Sequence, residues 1–192
     1  MQNSKLVIVV GSPGAGKTLI VDSIKTDKRY RIINVGTQME EMGIEKGLIK
    51  HRDQIRYLDF ETINRLRVLV FKRVAEMKGN IVLDTHMSVE RRGKYVPGLP
   101  YSLLRYLKNL VGMIYIDATT EEILARRHKD KTRSREAEDR ENVDMQRIMN
   151  VSMLAYCSIH LNISIYTIHN KENSIKETVK AFKNALKEMT GG

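Results

Sequence analysis

A single cysteine, Cys157, in 192 residues excludes any internal disulfide. Tryptophan is absent and aromatic residues make up 6% of the chain, which leaves few flat platforms on which bases of a nucleic acid stack. The five histidines show no spacing suited to a metal site. No apolar run reaches transmembrane length and no apolar leader core is present, so a soluble, cytoplasmic protein without membrane contact is expected. Internal repeats and low-complexity linkers are also missing, and the length suits one domain with a full core.

Positive charge is what the chain has in excess. Lys and Arg number 33 against 23 Asp and Glu, a formal net charge of +10. A surplus of this size implies an anionic partner, either nucleotide phosphates or a nucleic-acid backbone. The shortage of aromatics makes a nucleic acid the less expected of the two.

One stretch points to nucleotide phosphates directly. Gly11-Ser-Pro-Gly-Ala-Gly-Lys-Thr18 follows an apolar run at 6–10 and fits G-x-x-x-x-G-K-[ST]. After such a strand, glycines let successive backbone N–H groups face one concavity, a nest for phosphate oxygens. Lys17 is then placed for the β- and γ-phosphates, and the Thr18 hydroxyl for Mg²⁺.

The rest of the chain alternates short apolar strands with helical periods. Strands are expected near 6–10, 31–35, 81–84, 113–116 and 163–168, with helices at 18–26, 59–78, 101–110, 143–161 and after Ser174. Capping boxes are legible at Thr37-Gln-Met-Glu40, Thr119-Thr-Glu-Glu122 and Ser174-Ile-Lys-Glu177. Pro97, Gly98 and Pro100 predict a stiff loop, and 129–142 is almost entirely polar, a loop or mobile excursion. Alternation of this kind predicts an α/β fold, a five-stranded parallel sheet with helices on both faces. Ligands of such sheets gather at the carboxyl ends of the strands, where Gly11, Gly36, Asp84, Asp117 and the loop after Ile168 fall.

Asp84 has the position of an acidic partner to Thr18 around Mg²⁺, held directly or through water, although a strand-end carboxylate also caps local turns. Arg126, Arg127, Arg133 and Arg135 lie on or beside the polar excursion, which by closing would bring guanidinium groups to the phosphates and exclude water. Mixed-sign runs are also the pattern of a solvated loop. Arg52 and Arg56 suit a clamp on the phosphate of a second substrate, or a pair of surface arginines. A GTPase is disfavoured: Asp84-Thr-His-Met87 lacks the glycine of D-x-x-G, and Asn173 offers no carboxylate to guanine.

Together the P-loop, Ile33-Asn-Val-Gly-Thr37, Arg52-Asp-Gln-Ile-Arg56, Asp84-Thr-His86, Tyr95-Val-Pro-Gly-Leu-Pro100 and Thr132-Arg-Ser-Arg135 fall in the order seen in archaeal-type adenylate kinases, which this chain resembles over roughly its whole length. The resemblance implies the nucleoside monophosphate kinase type of P-loop fold, in one domain spanning 1–192. A monophosphate-binding segment is expected at about 36–60 and a lid at about 127–142. It implies Mg²⁺-dependent phosphoryl transfer from ATP to AMP and a homo-oligomer, commonly a trimer. By position, Gly11, Ser12, Pro13, Gly14, Ala15, Gly16, Lys17, Thr18, Leu19 and Asn170 belong to the ATP side. Gly36, Thr37, Arg52, Arg56 and His86 belong to the AMP side, and Lys17, Arg126, Arg133 and Arg135 to catalysis. One departure is visible: family members often carry an arginine in the helix after the lid, where this chain has Met149-Asn-Val-Ser-Met153, leaving Arg147 as the nearest candidate. A kinase for a different or broader range of acceptors, and a P-loop ATPase that binds RNA, are the competing expectations.

Overall fold

The apolar run at 6–10 forms β1 (Lys5–Gly11), and its burial on both faces explains why the run is unbroken. Leu6, Ile8 and Val10 enter one core cluster, while Val7 and Val9 enter a second on the other side of the sheet. The computed structural model describes residues 4–91, 93–129 and 140–191.

After β1 the chain runs through α1 (Lys17–Asp22), β2 (Tyr30–Asn34), α2 (Val35–Glu45), a 3₁₀ turn at Arg52–Tyr57, α3 (Phe60–Ala75) and β3 (Asn80–Asp84). An antiparallel hairpin, β4 (Ser88–Arg91) with β5 (Lys94–Pro97), comes next, followed by α4 (Tyr101–Leu104) and β6 (Leu110–Asp117). The chain closes with α5 (Thr120–Lys129), α6 (Arg140–Leu161), β7 (Ser164–His169) and α7 (Ile175–Thr190). Among the described residues the main sheet has five strands in the order β2-β3-β1-β6-β7, all parallel, as expected. No described helix is long and apolar enough to cross a membrane.

Helices on the two faces divide the core. Ile63, Leu66, Val70 and Val74 of α3 join Leu83 and Tyr115 on one face. Ile20 of α1, Ile123 of α5 and Phe182 and Leu186 of α7 join Val82 and Ile114 on the other. The α3 residues and the α7 pair follow the three- and four-residue spacing of a helix stripe seated on a sheet.

Several local expectations are corrected. Thr37 does not cap a helix: α2 already begins at Val35, and the Asn34 side chain accepts from the Thr37 N–H at 2.9 Å. Ser174 precedes α7 without a side-chain cap bond. The helix expected over 101–110 shortens to the four residues of α4, and the segment before Gly98, read as loop, contains the hairpin. The capping box at 119–122 is present in full, since Glu122 N–H donates to the Thr119 hydroxyl at 3.2 Å and Thr119 N–H to the Glu122 carboxylate at 2.9 Å.

Candidate active site

A cavity of about 1030 Å³ opens where β1, β2 and β3 end, and the phosphate loop forms one wall of it. The loop turns through Gly16, whose φ of +87° lies in the left-handed region and whose missing Cβ leaves room for the Asn170 amide. Asn170 is buried, and its Nδ2 donates to the Ala15 carbonyl at 2.9 Å. Its backbone N–H donates to Asp117 O at 2.7 Å, fixing the chain beyond β7 behind the loop.

Ser12, Pro13, Gly14, Gly16, Lys17 and Thr18 line the cavity. Gly11, Ala15 and Asn170 form the layer behind that wall, and Leu19 is exposed outside it. Gly36 and Thr37 at the start of α2, and Asp84 and His86 at and beyond the end of β3, line the same cavity. Of the sequence-predicted residues, Ser12, Pro13, Gly14, Gly16, Lys17, Thr18, Gly36, Thr37, Asp84, His86 and Arg126 line this one cavity.

Lys17 and Asp84 are both buried, and the ammonium donates to Asp84 Oδ1. Asp84 Oδ2 accepts from Asn34 Nδ2 at 2.7 Å. Asn34 thus serves two purposes, capping α2 with its oxygen and holding the carboxylate with its nitrogen. Its signal in the sequence is masked by the Thr37-Gln-Met-Glu40 pattern three residues later, which mimics a capping box in a different register.

Positive charge enters from α5. Arg126 donates to Ala15 O at 3.3 Å and Asn170 O at 2.8 Å, and Arg127 Nε donates to Pro13 O at 2.8 Å. Both line the cavity. Arg127, noted in the sequence beside the excursion but absent from the family-derived set, is held further by Gln146 at 3.1 Å. Arg133 and Arg135, with most of the expected lid, lie outside the described residues. Arg52 and Arg56 lie on the 3₁₀ turn, for which the backbone alone is described at these two positions.

Arg147 does not reach the cavity wall. Its guanidinium makes a two-point bond to Asp117, Nε to Oδ1 at 3.0 Å and Nη2 to Oδ2 at 2.8 Å. That bond holds the Arg147 pKa above its ordinary value. Burial, with the Asp117 charge second, pushes the neighbouring Tyr115 hydroxyl up to about 12. The pair anchors α6 to the end of β6.

Thr18 and Asp84 offer only oxygen donors, the chemistry Mg²⁺ prefers, and both face the same cavity. No group of three or more His, Cys, Asp or Glu able to hold a metal occurs among the described residues. The donor set fits an ion that arrives with a nucleotide and completes its shell with phosphates and water, rather than one caged by protein alone.

A family model described as an AAA domain matches residues 10–144. The chain is 34% identical over 191 residues to an adenylate kinase of Methanocaldococcus jannaschii, covering 96% of this chain and 99% of that protein. It is likewise 34% identical over 192 residues to an adenylate kinase of Pyrococcus horikoshii, at 95% and 97% coverage. Among solved structures, a shikimate kinase from Acinetobacter baumannii superposes with a TM-score of 0.64 at 12% identity, covering 97% of this chain and 95% of that one. A gluconokinase from Sinorhizobium meliloti gives 0.58 at 12% identity, covering 100% and 96%. At such identities the two structures are alike in fold alone.

Proposed function

This chain belongs to the adenylate kinase family, and from that premise we propose that it transfers the γ-phosphoryl group of ATP reversibly to AMP, giving two ADP. The observation that carries this reading is that the phosphate loop lines one cavity together with Gly36, Thr37 and His86. Two nucleotides held there face each other across the group to be transferred.

In the proposed reaction an oxygen of the AMP phosphate attacks the γ-phosphorus in line. The bond from that phosphorus to the β,γ-bridging oxygen breaks, and its electrons leave with ADP; no protein nucleophile takes part. Catalysis is then positioning and charge stabilisation. Lys17 leaves Asp84 for the phosphates of ATP, and Arg126 supplies charge from α5, with Arg133 and Arg135 in the same role from the lid. Arg52 and Arg56 position the acceptor phosphate, beside Gly36, Thr37 and His86. Thr18 and Asp84 would hold Mg²⁺, Asp84 directly or through a water. The bound ion supplies neutralisation of the charge shared by the β- and γ-phosphates. The lone thiol, Cys157, buried and unpaired, suits a reducing, cytoplasmic compartment. A homo-oligomer, a trimer as the family resemblance implies, is part of the same proposal.

A coupled assay offering AMP, CMP, UMP and GMP with ATP and Mg²⁺ tests the reading. AMP is expected to be the best acceptor, with activity lost when Mg²⁺ is chelated. Transfer to none of the four would overturn it.

A further inference from the structure

Asn150 lies on α6, ten residues after its first residue Arg140, and is 1% exposed. Both ends of its amide are engaged. Oδ1 accepts from the Ser88 N–H at 3.1 Å and from the Ser88 hydroxyl at 2.6 Å, and Nδ2 donates to the Ser12 hydroxyl oxygen at 3.0 Å. Those two donors and one acceptor fix which end of the amide faces which neighbour.

Ser12 and Ser88 are each 2% exposed, so these bonds are shielded from water. Ser12 belongs to the phosphate loop, and Ser88 opens β4 two residues after His86. At the end of β6, next to β1 in the sheet, Tyr115 donates to Asp117 at 3.3 Å. Asp117 is held by Arg147, one turn before Asn150 on the same helix. Helix α6 is therefore tied at Arg147 to the end of β6, and one turn later at Asn150 to both the phosphate loop and β4. Buried networks in which every member is satisfied hold their parts rigidly, and losing one member loosens all of them.

We propose that Asn150 is a positioning residue for phosphoryl transfer: it sets the phosphate loop in register with the segment bearing Asp84 and His86, and so fixes the donor half of the site against the acceptor half. The inference rests on the ATP-to-AMP reading above. Asn150 is buried and does not line the cavity, so its effect passes through Ser12 and Ser88. Misplacing one half against the other spoils the approach of the attacking oxygen while each half still binds its own nucleotide.

The test compares wild type with Asn150→Leu, which keeps the branched shape and removes the amide, and with Ser88→Ala, which removes one donor and leaves the backbone bond. Three quantities are measured on the full chain: the single-turnover transfer rate, the affinity for ATP and for AMP alone, and the affinity for a bisubstrate analogue joining two adenosines through five phosphates. For Asn150→Leu the transfer rate is expected to fall about 10- to 100-fold and the analogue to weaken comparably, the size of effect that a displacement of about 1 Å produces. Single-nucleotide affinities should stay within about twofold, since uniform binding is untouched. Ser88→Ala should move the same quantities in the same direction by less, and it decides the matter if Asn150→Leu does not fold. Unchanged transfer and analogue binding in the folded variants, or an equal loss of single-nucleotide binding, would overturn the inference. Failure of the wild type to phosphorylate AMP would instead overturn the functional reading beneath it.

Discussion

Lys17 and Asp84 form a buried ion pair inside the candidate site, and their partnership has opposite consequences for stability and for activity. Removing one member of a buried pair strands the other charge away from water, typically at about 3 kcal/mol or more. Lys17→Met should therefore abolish transfer and also lower the urea midpoint. Adding Asp84→Asn removes the stranded charge and should recover much of that stability while activity stays lost. A double variant as unstable as the single one would refute the pairing as the cause. Cys157 gives a second residue-level expectation. Burial pushes its thiol up to about 11, against about 8.5 in an unfolded chain. Because the folded protein holds that proton more tightly, this contribution to stability is complete below about pH 8.5 and is lost as pH rises toward 11. Reaction with an aromatic disulfide reagent at pH 8 should be slow in the native protein and fast in denaturant; rapid native labelling would contradict the burial.

Elements announce themselves in sequence when one local pattern decides them, and they fail to when tertiary contact decides. β1, β3 and the helix period of α3 were legible because burial on one or two faces writes itself into residue order, and Thr119 with Glu122 forms the capping box that its spacing predicts. The hairpin β4–β5 was not legible. It is two four-residue strands held against α6 rather than by their own apolar alternation, with Tyr95 donating to Asn142 O at 3.1 Å and Ser88 bound to Asn150. In the site, the phosphate loop, Asp84 and His86 could be read off as motifs. Asn150 could not, and Arg147 stood out only as the nearest candidate for the helical arginine, not as the partner of Asp117, because the partners of both lie at β4, the phosphate loop and β6, far away in the chain. Asn34 shows both sides of this lesson, a plain N-cap in the wrong register of the sequence reading and also the second partner of Asp84. Asn34→Ala should cost about 1 kcal/mol from the lost cap, with a further loss from Asp84, in chemical denaturation. Asn34→Ser should recover the cap share alone. Equal stability of all three proteins would show that the α2 start is held by something else.

At the scale of the molecule, the homo-oligomer proposed above has two candidate helices for its subunit interface. α3 carries the more regular apolar period, but Ile63, Leu66, Val70 and Val74 are spent on the protein's own core, each at most 2% exposed. α6 is the reverse. Its 22 residues span about 33 Å at 1.5 Å per residue, and Met145, Ile148, Val151, Tyr156 and Ile159 remain exposed along it, Ile159 at 78%. Tyr101 of α4 extends the face, its ring edge-on to those of Tyr156 and His160 at 5.6 Å. Contiguous apolar surface of this kind marks an association site more often than a free one. With a net charge of +10 on each chain, association also has to overcome repulsion, so an apolar seam is the part of the surface able to drive it. Light scattering of the wild type should give a multiple of 22.1 kDa, three-fold if the trimer is right, and added salt should favour it by screening. Ile148→Glu combined with Ile159→Glu places like charges on the seam of every copy and should return a 22.1 kDa particle with unchanged circular dichroism. A wild type that is already monomeric, or a double variant that keeps the assembled mass, would remove α6 as the interface.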